Sequence, residues 1–284
     1  MAERERKRRT LVVRILRKQP LTLIGVLLLF FVSLVAIFAP YIAPYDPLRI
    51  NLTNRLEPPS RDHPMGTDTF GRDLLSRVIY GSRISLWVGI LSVALGTSVG
   101  VPLGLLSGYR GGWVDMLVMR GMDVMLSFPP LVLAMAIAVS IGPGLNSAII
   151  AVGIVNIPRY ARLVRSSVLE LRETEFVEAA RAMGARDSSI MGKHILMNCL
   201  SPIVVQATLG LGTAIITAAG LSFIGLGAQA PTPEWGAIIS EGRYYVVSGR
   251  WWLSIFPGVA IALSVLGFNL AGDGLRDFLD PRAS

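Results

Sequence analysis

The sequence predicts an all-α integral membrane protein with six transmembrane helices and both termini in the cytoplasm. Three observations carry this. The 284 residues are 52% hydrophobic and only 16% charged, against roughly a quarter charged in soluble domains. Residues 21–43, 84–109, 202–226 and 251–271 hold no Lys, Arg, Asp or Glu, and a helix needs about 20 apolar residues to cross a hydrocarbon core. The basic residues gather before the first span and between the fourth and fifth, the bias expected of cytoplasmic segments. The net charge of +8 therefore orients the chain in a lipid bilayer and needs no nucleic acid to explain it.

Residues 1–20 are a basic segment in which Leu11, Val12, Ile15 and Leu16 interleave with arginines. Those spacings suit an amphipathic helix on the inner leaflet, or a frayed basic tail; the surface helix is the reading. Pro20 marks the turn into the transmembrane domain, residues 21–284. The first apolar run exceeds the 7–15 residues usual for a signal peptide, and Pro40 follows its one small-residue cleavage candidate, so an uncleaved first span is expected.

Residues 44–82 form a long external loop of mixed charge. Thr69 or Asp68 is placed to cap a helix whose face, Leu74, Leu75, Val78 and Ile79, rests on the outer leaflet. In the second span Gly96, Gly100, Gly104 and Gly108 recur every fourth residue, a smooth stripe for close approach of another backbone, within the chain or from a partner. Pro102 is expected to kink that helix.

The third span is assigned to residues 124–141, although it contains Pro129-Pro130. Asp115, Arg120 and Asp123 then belong to a cytoplasmic lead-in, with Arg120 and Asp123 spaced to pair. After the turn Gly142-Pro143-Gly144, the fourth span runs from residue 145 to about 160. The fifth and sixth spans bracket an outer loop, residues 227–250, expected to fold back as a short re-entrant or surface helix, with Trp251 and Trp252 in an aromatic belt.

The polar stretch at residues 166–201 interrupts this pattern. Thr174 is a plausible N-cap, with Glu175 and Glu178 in the first turns. Phe176, Ala179, Ala180 and Met183 are expected on one side, Gly184 ends the helix, and a second short helix from about Asp187 returns Ile190, Met191 and Ile195 to the membrane. Such a helix–glycine–helix hairpin suits insertion into a groove of another protein, or is a solvated linker; composition alone leaves both open. The lone Cys199 excludes an internal disulfide and reads as a small buried residue. His63 and His194 fall on opposite sides of the predicted membrane.

Glu178-Ala179-Ala180-x3-Gly184, in this position, looks like the coupling loop of ABC-importer permeases. Met65-Gly66-Thr67-Asp68-x-x-Gly71-Arg72-Asp73, Leu221-Ser222-Phe223-Ile224-Gly225-Leu226-Gly227, Pro231-Thr232-Pro233-Glu234-Trp235-Gly236 and Gly272-Asp273-Gly274-Leu275-Arg276-Asp277-x-Leu279-Asp280-Pro281 resemble segments of the dipeptide/oligopeptide/nickel permease family, nearest its second dipeptide-importer permease. Met197 stands near where that family usually has proline.

The resemblance implies a type I ABC importer permease fold in a bacterial or archaeal cytoplasmic membrane, moving di- or oligopeptides, or alternatively nickel. It implies that Glu178, Ala179, Ala180 and Gly184, with Phe176, Met183 and Arg181 around them, couple to an ATPase. The implied partners are a homologous permease in a heterodimer, two ATP-binding subunits and an extracytoplasmic substrate-binding protein. No Gly-x4-Gly-Lys-Ser/Thr run exists, so ATP and Mg belong to the partner subunits, and this chain needs no cofactor and no catalytic set. The competing classes are an ATP-independent channel or secondary transporter, which calls for intramembrane ionisable residues or inverted repeats, and an intramembrane enzyme built on Cys199 and His194, which lie on different sides of one helix.

Overall fold

A computed structural model describes residues 20–279, so the expected inner-leaflet helix at residues 1–19 lies outside the described residues. Five helices are long and apolar enough to cross a bilayer: α1 (Pro20–Ile42), α2 (Leu74–Arg110), α5 (Leu145–Leu171), α7 (Asp187–Phe223) and α9 (Trp252–Leu279). Helices α3 (Gly112–Leu126) and α4 (Pro130–Ile141), bent by 94° at the break between them, make a sixth candidate span when the pair is counted as one. Between the long helices sit α6 (Glu175–Ala182) and α8 (Trp235–Gly242).

The bend corrects the straight third span. Proline disfavours the helical region for the residue before it, so Phe128 and Pro129 cannot continue α3, while Pro130 starts α4 at a first-turn position where its missing N–H costs nothing. Pro129 lies in extended backbone at φ −54°, ψ 131°. With 12 residues, α4 is only about 18 Å long.

Helix α2 is longer than its apolar run. It starts at Leu74, and its cap is Asp73, whose Oδ2 accepts from the Ser76 N–H at 2.7 Å. Thr69 and Asp68 do not cap it, and residues 74–79 are its first turns rather than a separate surface helix. Leu74 and Val78 are buried against Trp235, Ile238, Trp252 and Leu253. The helix remains continuous through Pro102.

The glycine stripe serves packing inside the chain. A Cβ at Gly100 would lie 2.7 Å from the Ile157 carbonyl oxygen, and one at Gly104 would lie 2.3 Å from that of Ala161. These are backbone atoms, so α2 and α5 touch along their axes with nothing between them. Ser92 adds a hydrogen bond to the Ile149 carbonyl at 3.2 Å.

Helix α5 continues past residue 160 to Leu171, carrying Arg162 and Arg165. Arg165 makes a two-pronged bond to Asp115 at 2.5 and 2.6 Å, and Arg162 reaches Asp123 at 2.5 Å. Asp123 is thus paired across helices rather than with Arg120, and α3 lies antiparallel along α5. The outer loop folds back as expected: α8 is buried, and the Trp235 indole donates to the Val78 carbonyl at 2.9 Å. Of the two belt tryptophans, Trp251 is exposed, whereas Trp252 is buried and donates inward to the Thr67 carbonyl at 3.3 Å.

Candidate functional site

The hairpin between α5 and α7 is held by local chemistry. The Val177 and Glu178 N–H groups donate to the Thr174 carbonyl, at 3.0 and 3.1 Å, so Thr174 occupies the N-cap. Its hydroxyl turns away and donates to the Leu171 carbonyl at 2.5 Å. Glu175 and Glu178 sit in the first turn and Arg181 in the last, the order that opposes the helix dipole.

At the other end Ala185 N–H donates to the Ala180 carbonyl and Gly184 N–H to that of Arg181, both at 3.0 Å. This is the Schellman closure, which needs a left-handed residue, and Gly184 supplies φ +79°. No atom lies within 4 Å of where its Cβ would be. The glycine is there for its backbone angle alone.

The inner face of the hairpin is fixed to the bundle. Val177 and Ala180 are buried with Val164 and Val168 of α5 and with Ile190, Ile195 and Cys199 of α7. Ala180 therefore faces the chain's own body, not the side of Phe176 and Met183 on which the spacing placed it. The outward side carries Phe176, 41% exposed, and Met183, 82% exposed. Glu178, Ala179, Arg181 and Gly184 are exposed with them. The Tyr109 hydroxyl at the end of α2 lies close enough to hold the exposed Arg181 guanidinium above its ordinary pKa. The Tyr109 hydroxyl donates to Asp187 at 2.7 Å.

The returning arm is not a separate short helix. It begins α7 at Asp187, widens into a π-turn at Ile190–Ile195 and continues as α-helix to Phe223. Met197 lies in the regular part, exposed, and the chain turns at no point near it.

The sequence reading missed a second constellation, a buried ionic cage at the opposite end of α2. Arg72 pairs with Asp68 at 2.6 Å and with Glu241 of α8. Arg77, fully buried, lies 3.3 Å from Asp68 and 3.2 Å from Glu241. Two cations and two carboxylates balance. Beside them Asp73 bonds His63 at 2.8 Å, and Glu234 caps α8 through the Ala237 N–H at 3.0 Å while accepting from Ser85 at 3.2 Å. Residues of the Gly66–Asp73 and Pro231–Gly236 segments, with Arg77 and Glu241, thus clip the loop before α2, α2 itself and α8 into one unit. Only the charged and aromatic residues of those two segments, taken together, signalled it.

A multi-helix membrane bundle that carries a polar hairpin docked at one end fits one class, the inner-membrane component of an ABC importer. Residues 100–284 match the family described as binding-protein-dependent transport system inner membrane component, and residues 9–59 match the N-terminal transmembrane domain of oligopeptide transport permease C. The dipeptide transport system permease protein DppC of Alkalihalophilus pseudofirmus is 51% identical over 267 residues, covering 94% of this chain and 88% of that protein. The probable D,D-dipeptide transport system permease protein DdpC of Escherichia coli is 49% identical over 272 residues, 96% of this chain and 91% of that one. An inward-facing structure of the MetNI methionine ABC transporter aligns with TM-score 0.60 at 25% identity, over 72% of this chain and 96% of that chain. The chain belongs to the oligopeptide/dipeptide C-type permease family. It is a multi-pass bacterial inner-membrane permease, not itself an ATPase, and the family implies ATPase and binding-protein partners.

Proposed function

We propose that this chain pairs with a homologous permease and two ATP-binding subunits to import di- or oligopeptides delivered by an extracytoplasmic binding protein, and that the hairpin seats in a groove of one ATPase. The observation that carries this is the two-sidedness of the hairpin. Its inner face is fastened to α5 and α7, while an apolar outer edge, Phe176 and Met183 flanking Ala179, is left uncovered among the described residues. Large apolar side chains on a polar cytoplasmic knuckle call for a partner, and helix-in-groove docking reads anchors at this spacing. Closure of the ATPase pair then moves the hairpin as a lever, and α5 and α7 with it. The peptide cargo is supported by the names of the relatives.

The test is a photo-crosslinking residue at position 183 in the assembled transporter. It should capture the ATPase, while the same residue at Leu52 in the external loop should not. Met183→Glu should lower peptide uptake with the membrane level of the chain unchanged. Absence of the ATPase from the position-183 adduct would overturn the seating.

A further inference from the structure

Amides on α7 and α9 lie unpartnered within the membrane part of the bundle among the described residues. Gln206, half-buried on α7, makes no hydrogen bond among the described residues, and neither does the exposed Asn269 on α9. Gln206 is eight residues inside Asn198, about 12 Å along the axis. An amide pointed at lipid is costly, whereas one lining a water-filled cavity is not.

Gln206 opens into a groove of about 580 Å³ between α5, α7 and α9. Asn198 and Ser201 line it with Gln206 on one wall, and Arg276, in the last turn of α9, lines the other. Higher on α7 the same side carries Thr213, exposed, and Thr217, so polar groups follow this flank through most of the span.

The Gly272–Arg276 segment gains a physical reason here. A Cβ at Gly272 would lie 2.6 Å from the Leu209 side chain, and one at Gly274 would lie 1.9 Å from Thr22. The two glycines let the end of α9 sit tightly between α7 and α1. That contact sets the guanidinium of Arg276 at the cytoplasmic mouth of the groove, where it makes no ion pair among the described residues.

We infer that this groove is the cytoplasmic part of the translocation path and that Arg276 receives the free carboxylate of the departing peptide. The assignment of the carboxylate rests on the peptide reading above. A short peptide always carries that group, whatever its side chains, so one guanidinium serves a broad cargo, and guanidinium–carboxylate bonds are among the stronger hydrogen bonds available.

The experiment uses the complete transporter in inside-out vesicles, carrying Ser201→Cys or Gln206→Cys, with Phe30→Cys on the outer face of α1 as the lipid-facing control. A membrane-impermeant thiosulfonate is added and labelling is read on this subunit's band, with the unsubstituted chain as the baseline for buried Cys199. Both groove cysteines should label faster than Phe30→Cys. Ala-Ala should slow that labelling, its C-terminal amide should not, and Arg276→Gln should weaken protection about tenfold or more. Labelling no faster than at Phe30→Cys, as when a second permease covers this face, overturns the path. Protection by the amide equal to that by Ala-Ala, no protection by either, or protection that survives Arg276→Gln overturns the carboxylate role. ATP-driven uptake of Ala-Ala into right-side-out vesicles with the binding protein reports on the peptide reading separately. Labelled groove cysteines without any uptake would refute that reading and the carboxylate role with it, and leave the aqueous groove standing.

Discussion

Gly184 offers the sharpest perturbation, because steric crowding and backbone strain are cleanly separated there. Its φ is +79°, and a Cβ would meet nothing within 4 Å. Replacement by alanine therefore adds no clash and costs only the left-handed penalty, about 1–2 kcal/mol. That is a factor of about 5–30 in the population of the closed turn. Asparagine tolerates this conformation better and should cost less. Proline, fixed near φ −65° and lacking an N–H, loses both the angle and the bond to Arg181. The order of damage should be Gly, Asn, Ala, Pro. The assay is the ratio of ATP hydrolysed to peptide taken up by proteoliposomes containing the whole transporter, alongside the membrane level of the chain. The ratio should rise along the series while the level holds, since the turn lies outside the spans. An alanine variant coupled as tightly as the parent, or asparagine as damaging as proline, would refute the claim that the closure geometry of this turn transmits the stroke.

Two further outcomes follow from the packing. In the ionic cage, Glu241→Met should leave two buried guanidinium groups facing one carboxylate and cost about 3–5 kcal/mol; adding Arg77→Met should restore neutrality and recover part of that loss, giving a strongly non-additive cycle in the thermal unfolding of the detergent-solubilised complex. At the α2–α5 contact, Gly104→Leu must push aside the Ala161 carbonyl, 2.3 Å from its Cβ position, and should lower the melting temperature by an amount equivalent to about 1–3 kcal/mol or more.

The membrane helices were legible where apolarity alone decides. Each long helix covers its predicted run to within three residues, because about 20 apolar residues in sequence leave the backbone one way to satisfy itself in lipid. The ends were not legible. Helix α2 begins ten residues before its uncharged run, since Arg77 and Arg83 do not break a helix and Arg77 finds carboxylates in the fold. One of these, Glu241, stands 164 residues away in sequence, and no local pattern announces a pairing at that range. Pro129-Pro130 was visible, but its consequence, a 94° break, depends on the restriction proline places on the preceding residue. The hairpin was legible in its ends, Thr174 and Gly184, because caps are written in single residues. Its orientation was not. The buried stripe is Val177 and Ala180, about 100° round the helix from the expected one, and an alanine is small enough to face either way.

The two constellations at opposite ends of the molecule are joined by one rigid part. Helix α7 leaves the hairpin at Asp187 and reaches Phe223 after 37 residues, about 55 Å of continuous hydrogen-bonded backbone. At its outer end the Phe223 carbonyl accepts from Ser240 at 2.7 Å and from Arg243 at 2.9 Å, at the C-terminal end of α8. Helix α8 carries Glu241 into the cage, and the cage holds the start of α2 and the external loop. A helix is stiff along its axis, and its soft points are prolines and π-turns. In α7 the π-turn at Ile190–Ile195 and Pro202 both fall in the half nearest the hairpin, and the rest, from Ile203 to Phe223, has neither. On the proposed function, displacement of the hairpin is absorbed as bending in the half of α7 nearest it, while what passes the proline travels to the cage as rigid motion. On the proposed function, this places the hinge of the lever beside the groove that contains Ser201 and Gln206, where bending changes the width of the path, and makes the cage the part that must hold together while the outer end moves.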